Sequence, residues 1–295
     1  MQPELNSSEV NSQTLDERIS ALHKSLSPKH KRLARFVLDN KYFISFASAS
    51  QAGEKIGTSA ATVVRFAQTI GYEGYSEMQA AIRAELPSYM TAIVRMQVQL
   101  QAKQPSNDLL RSVYQADINN IQRTVSNISE EKLNAALETL VNANRILVVG
   151  AGLSSSCAMF LAHSLKIIGR DARVNSNEGL SLAADIALLN PGDLLIAIDM
   201  WRYVRSTIQA VSKAKEMGVS VIAITDSIVS PLARLADYAF EVVTSGISHS
   251  LSATAIMSLL NVFIAALSYK IPEQTMRSLR RVDSAYRDND LLVLE

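Results

Sequence analysis

The feature that most constrains this chain is a change of hydrophobic period near Arg145. Before it, apolar residues recur three and four apart, the spacing of helices that pack through one face. After it, short strand-like runs appear at 146–149, 172–174, 194–198, 219–224 and 238–243, of which 146–149 and 194–198 are unbroken apolar. Helical patterns follow or separate these runs, at 153–168, 179–189, 203–217, 231–236 and 251–269. Buried strands alternating with helices predict a parallel sheet covered on both faces, with ligands bound beyond the strand C-termini. The fold class expected is therefore α + α/β. An all-helical N-terminal domain is joined by a helical linker to a doubly wound parallel sheet.

The helical half carries its own signal in residues 57–71. Gly57 suits the left-handed end of one helix, and Thr58 or Ser59 can cap the next. Val63, Phe66, Ala67 and Ile70 make an apolar stripe. Ser59, Thr62, Arg65 and Gln68 remain on other faces, with side chains suited to phosphates and base edges. Residues 48–56 read as a shorter helix packed across this one, giving a helix-turn-helix pattern that an ordinary helical hairpin shares. Charge favours the DNA reading. Nine Lys/Arg and two acids between residues 18 and 70 give a local charge of +7, against +1 for all 295 residues. A basic segment that coincides with a helix-turn-helix points to a polyanion. The candidate DNA-contacting residues are Gln51, Thr58, Ser59, Ala60, Thr62, Arg65, Gln68 and Tyr72.

In the second half, Gly150-Ala-Gly152 closes the first strand and opens a helix, where backbone N–H groups and the helix N-terminus favour an anion. Ser155 holds the place of a third glycine and the second strand runs into Asn175, so a dinucleotide fingerprint is incomplete. Ser154, Ser155 and Ser156 add hydroxyls instead. The third strand runs into Asp199-Met-Trp-Arg-Tyr-Val-Arg-Ser-Thr207, where Arg202 can grip a carboxylate or phosphate through two parallel hydrogen bonds. Solvated arginines and a packing role for Trp201 are the alternative. The candidate effector-binding residues are Gly150, Gly152, Ser154, Ser155, Ser156, Arg202, Tyr203, Ser206, Thr207 and His249. His163, on an apolar helix, reads as a core or interface residue. No catalytic or metal-ligating set declares itself, and no cofactor is expected. The single cysteine, Cys157, excludes an internal disulfide and reads as a small buried residue.

Together these residues resemble the RpiR family of bacterial transcriptional regulators. The N-terminal resemblance lies in Leu26-Ser-Pro28, Arg35-Phe-Val-Leu-Asp-Asn40, Ser59-Ala-Ala-Thr-Val-Val-Arg-Phe66 and Gly71-Tyr-Glu-Gly-Tyr75. The C-terminal part, through Gly150-Ala-Gly-Leu-Ser-Ser155, Leu189-Asn-Pro-Gly-Asp193 and Ile224-Thr-Asp-Ser-Ile-Val-Ser-Pro-Leu232, resembles the sugar isomerase (SIS) domain. The resemblance implies a DNA-binding regulator, a homodimer or homotetramer, that senses a phosphosugar and acts on a catabolic operon. The family's Ser-x-Ser-Gly-x-Thr loop is replaced by Asp199-Met-Trp-Arg-Tyr-Val, which makes another small anion, such as a carboxylate, comparably suitable. A sugar-phosphate isomerase built on the same domain is the alternative function.

Expected boundaries are 1–92 for the DNA-binding domain, 93–130 for the linker, 131–272 for the SIS domain and 273–295 for a C-terminal tail. The polar N-terminus and the absence of an apolar run of ~20 residues lead to the expectation of a cytoplasmic protein without a membrane partner.

Overall fold

The structure is a computed structural model that describes residues 14–85, 92–101, 108–200, 203–228 and 230–289. It divides into two compact units, Met1–Arg95 and Met96–Glu295.

The first unit is helical: α1 (Leu15–Leu22), α2 (Pro28–Asp39), α3 (Lys41–Phe46), α4 (Ala49–Ile56), α5 (Ala60–Thr69) and α6 (Tyr75–Glu85). Its helix starts are written locally. Thr14 and Glu17 form a reciprocal capping box before α1, and Ser27 caps α2 with Pro28 at its first position. The apolar pattern through residue 26 predicts a longer first helix. The chain leaves it after Leu22, and Leu26 turns into the core with its amide on the Leu22 carbonyl. Leu15, Leu33, Val37, Val63, Phe66 and Ile82 are among the residues of one buried cluster.

Residues 92–101 form helix α7 (Ala92–Gln101). The second unit continues with α8 (Leu109–Ser126) and α9 (Glu130–Asn142). It then alternates β1 (Ile146–Gly150), α10 (Ser154–Ile167), β2 (Ala172–Asn175), α11 (Leu180–Ala187), β3 (Leu194–Ile198), α12 (Arg205–Glu216), β4 (Ser220–Thr225), α13 (Pro231–Leu235) and β5 (Tyr238–Glu241). All pairings are parallel, in the order β2-β1-β3-β4-β5. Side chains alternate between faces along each strand. Ile146, Val148, Ile196, Ile198, Ile222 and Ile224 pack under α9, α10 and α14 (Thr254–Lys270). Leu147, Val149, Leu195, Ala197, Val221 and Ala223 pack under α11, α12 and α13. The unbroken apolar runs 146–149 and 194–198 are thus central strands buried on both sides, whereas the edge strand β2 exposes Arg173 and Val174.

The expected tail, 273–295, includes most of a helix, α15 (Pro272–Asp288). Its Gln274 donates to the Gly169 carbonyl at 2.7 Å and its Ser278 hydroxyl to the Ile167 carbonyl at 2.8 Å. The polar face of α15 therefore docks on the end of α10, a contact that hydrophobic periodicity could not signal. Among the described residues no single helix is long and apolar enough to cross a membrane.

Candidate functional site

The first candidate surface is the α4–α5 pair. Ser48 and Gln51 cap α4 reciprocally: the Gln51 amide donates to Ser48 Oγ, and Gln51 Oε1 accepts from the Ser48 amide at 2.8 Å. Gly57 ends α4 in the left-handed region, at φ 72°. Gly53 is the residue that sequence reasoning missed. A Cβ there would stand 2.7 Å from the Thr58 carbonyl oxygen, because the chain folds back onto α4 and the Thr58 amide bonds the Gly53 carbonyl. Ser59, not Thr58, caps α5. Its Oγ accepts from the Thr62 amide and lies 2.9 Å from Thr62 Oγ1. Thr58 Oγ1 is buried without a hydrogen-bond partner.

Val63, Phe66, Ala67 and Ile70 are fully buried and hold α5 on the core. Gln51, Ser59, Arg65 and Gln68 are exposed, and Thr58, Ala60 and Thr62 are half-buried. The 3.6-residue period puts exposed Ala61 and Thr69 on the same outward side as Arg65, and both were overlooked. Tyr72 departs from the expected set: it is buried in the core, with the Arg18 guanidinium 4.2 Å from its ring centroid. Burial raises its phenol above the ordinary range. The counted charge also shrinks. Arg18 is buried and donates to the Gly71 carbonyl, while Lys41 pairs with Asp16 and Glu85, acids just outside the counted window. Lys24, Lys29, Arg32, Arg35, Lys55 and Arg65 remain exposed.

The second candidate region is the C-terminal edge of the sheet. The strand order reverses between β1 and β3, the point where open α/β sheets form a ligand crevice. Gly150 sits at the end of β1. A Cβ there would meet the Ser154 carbonyl oxygen at 2.7 Å and the Ile198 oxygen at 3.2 Å, so glycine is needed for close approach. Gly152 adopts φ 56°. Ser154 is buried, Ser155 is half-buried and Ser156 is exposed. Ser155 Oγ donates to the Gly152 carbonyl at 2.7 Å. The amides of Ser154, Ser155 and Ser156 turn onto carbonyls three residues back, so they are not a ready-made anion cradle.

Past β3, two carboxylates organise the chain. Asp199 is buried and accepts from the Val204 amide at 2.8 Å. Burial, with Asp226 and Glu178 nearby, pushes its pKa up to about 7, against the pull of the Val204 and Met200 amides. Asp226, also buried, accepts from the Tyr203 hydroxyl at 2.6 Å. Arg202, with Trp201, lies outside the described residues. Thr207 is buried, and the half-buried Ser206 keeps its Oγ in the interior without a hydrogen-bond partner. His249 is exposed in the segment between β5 and α14. That segment is held from α8: Asp117 accepts from the Ser252 and Thr254 hydroxyls, Asn120 donates to the Ser245 carbonyl, and Thr124 Oγ1 accepts from the Val243 amide. His163, expected in a core or interface, is exposed, whereas Cys157 is buried and burial raises its thiol.

Comparison with known proteins bears on both regions. Residues 13–88 match the helix-turn-helix domain of the rpiR family, and residues 139–266 match the SIS domain. The sugar isomerase domain of the RpiR transcription factor from Sphaerobacter thermophilus is 37% identical. The match covers 60% of this chain and 99% of that one, with a TM-score of 0.59. This chain belongs to the RpiR family. It is a transcriptional regulator with a helix-turn-helix domain and a SIS domain. An HTH-type transcriptional regulator of Haemophilus influenzae is 26% identical to this RpiR chain over 222 residues, covering 75% of this chain and 77% of the relative. The fold of the Vibrio vulnificus NanR protein, complexed with ManNAc-6P, is similar across 95% of this chain and 99% of that one, at 22% identity and a TM-score of 0.64.

Proposed function

We propose that this RpiR regulator binds operator DNA through the exposed face of α5 and senses a small anionic metabolite, a phosphosugar or a carboxylate, at the C-terminal edge of its sheet. It acts in the cytoplasm as a homodimer or homotetramer, controls a catabolic operon and does not itself carry out catalysis. The observation that carries the sensing half is the state of the two carboxylates. Asp226 accepts from the Tyr203 hydroxyl at 2.6 Å and Asp199 from the Val204 amide at 2.8 Å, and burial pushes the Asp199 pKa up to about 7. A crevice with two buried acids can then accept an anion without facing two full negative charges. Gly150 and Ser154 line the β1 side, Thr207 and the Ser206 hydroxyl lie at the start of α12, and the exposed Arg205 supplies positive charge there. Arg202 of the same loop is proposed as the anion's main partner. The NanR complex with ManNAc-6P supports a phosphorylated sugar within this class.

Thermal denaturation of the full chain against a panel of sugar phosphates and small carboxylates tests the reading, because a ligand that prefers the native state raises Tm. The expected result is stabilisation by a member of one class, lost in Arg202→Ala and accompanied by altered operator binding. Stabilisation that survives Arg202→Ala unchanged overturns the site. The absence of any response to the panel at millimolar concentrations overturns the ligand class.

A further inference from the structure

Helices α11 and α12 both begin at the C-terminal edge of the sheet and pack side by side on one of its faces. A groove of 340 Å³ lies between them. Leu182 and Ile186 of α11 and Ala210 of α12 make its buried floor, and the exposed Ala183 and Ala187 leave its rim low. Gly179 and Ser206 stand at the end nearest the sheet edge, and Lys213 stands two turns away at the other. The first end adjoins the anion crevice. Glu178, beside Gly179, lies close enough to Asp199 to act on its charge, and Ser206 precedes the buried Thr207. Ser206 Oγ is buried there without a hydrogen-bond partner among the described residues.

We propose that the effector is an amphiphilic anion, with its charged head in the crevice at Arg202 and an apolar tail laid in the α11–α12 groove. The inference rests on the anion-sensing reading and narrows its ligand class. The groove has the size and make-up of a small-molecule site, which typically encloses ~300–1,000 Å³ between mostly apolar walls with a few placed polar groups. It continues from the crevice past Gly179 and Ser206, so a single ligand can occupy both. The Ser206 hydroxyl suits the junction of head and tail, where a polar atom of the ligand would give it the partner it lacks. From Gly179 to Ala187 the groove follows α11 for about 12 Å, room for an extended chain of about eight carbons. Leu182, Ile186 and Ala210 offer no hydrogen-bonding side chain, so a hydroxylated tail would lose its water there without compensation.

Titration calorimetry on the full chain provides the test, with butanoate, octanoate, butyl phosphate and octyl phosphate as probes. A fully buried methylene is worth about four-fold in affinity, and about two-fold in a groove open on one side. For at least one head group, the eight-carbon probe should therefore bind at least ~10-fold tighter than the four-carbon one. Ala183→Phe, at an exposed rim position, and Ala210→Leu, from the opposite wall, should each fill the groove and cut that preference below ~3-fold, with the four-carbon probe bound as before. Ala265→Phe, at an exposed site on α14, should leave the preference intact. Arg202→Ala should weaken both chain lengths by the same factor. Equal affinities for the two lengths with both heads, or a preference that survives both fillings, overturns the groove and leaves the anion-sensing reading standing. A filling that changes sedimentation and neither affinity marks the groove as a protein contact and overturns it as well. A preference that filling abolishes but Arg202→Ala does not touch overturns the anion site, and with it the placement of the head.

Discussion

The two halves of the molecule place their polar chemistry in opposite surroundings. On α5, Ser59, Arg65 and Gln68 stand in water over a core that is complete without them. At the sheet edge, Asp199, Asp226, Ser154 and Thr207 are buried, and the hydrogen bonds of the two carboxylates shape the chain around them. A surface of the first kind can change its contacts at little cost in stability. A buried edge of the second kind ties any change of its polar groups to folding, since a buried polar group without its partner costs ~1–3 kcal/mol and a charged one costs more.

The largest expected effect follows from that difference and is a pH dependence confined to the second half. Asp199 has a folded pKa of about 7 against an ordinary value of 3.8. Its folded value is raised, so its contribution is fully present below pH ~4, declines as the unfolded chain ionises first, and is gone above pH ~7. A shift of this size corresponds to ~4 kcal/mol. Urea unfolding at pH 5 and pH 8 should show the wild type losing stability relative to Asp199→Asn as pH rises, because the amide does not titrate. Parallel pH profiles for the two proteins would remove Asp199 from this role.

A pair of glycines gives the next comparison. Gly53 and Gly150 each sit where an added Cβ would stand 2.7 Å from a backbone carbonyl oxygen, one in each half. Backbone cannot swing aside as a flexible side chain can, so each Gly→Ala change should cost ~2–3 kcal/mol through overpacking. The consequences should separate. Gly53→Ala should abolish operator binding while a stabilising ligand still raises Tm, and Gly150→Ala should do the reverse. Wild-type stability in Gly53→Ala would mean that α4 and α5 pack less tightly than described.

The same contrast explains what was legible in the sequence. The helix-turn-helix is a local object: the Ser48 and Ser59 caps, the Gly57 turn and the stripe of α5 lie within about two dozen residues, and each obeys a short-range rule. The strands were legible for the same reason, since five short strand-like runs can be read one at a time, and 194–198 agrees with the strand at both ends. What escaped needed contacts across the chain. Tyr72 reads as a surface aromatic until Arg18, from a helix more than fifty residues earlier, is found over its ring. The role of Gly53 is local but depends on how closely the chain returns at Thr58, which no residue pattern states. The hydrogen bonds from Asp117, Asn120 and Thr124 span more than a hundred residues, and no periodicity announces them. The burial of Asp199 follows from the neighbouring strands, which its own sequence context does not reveal.

Arg65 sharpens the comparison by acting on binding alone. It is exposed, and its Nε reaches only the Ala61 carbonyl, at 3.4 Å. Arg65→Ala should leave the unfolding curve unchanged within ~0.5 kcal/mol. It should weaken operator binding by ~1–3 kcal/mol if the guanidinium reads a guanine, with relaxed preference at one base pair. If it meets phosphate instead, the loss should be uniform across sequences and the salt slope should fall. Fluorescence anisotropy with specific and scrambled duplexes at two salt concentrations separates these outcomes. Unchanged affinity in all of them would take Arg65 out of the interface.

The smallest expected effect compares two serines with the same local task. Ser59 caps α5 and Ser230 caps α13, each accepting from the amide three residues on, at 3.3 and 3.0 Å. Their surroundings differ. Ser59 is exposed, so in Ser59→Ala water can reach the orphaned Thr62 amide, and the loss should be ~1 kcal/mol, as for a typical cap. Ser230 is fully buried, and its Oγ is also 3.2 Å from the buried Thr225 hydroxyl. Ser230→Ala therefore strands two polar groups away from water and should cost ~2 kcal/mol or more. Ser59→Asp should restore the first loss, because a carboxylate caps a helix N-terminus as well as a hydroxyl does. Ser230→Asp should not restore the second, because it would bury a charge. Chemical denaturation of the four variants measures the differences. Equal losses for the two alanine variants would mean that local capping alone sets the cost, and that the contrast between an exposed surface and a buried edge does not reach these positions.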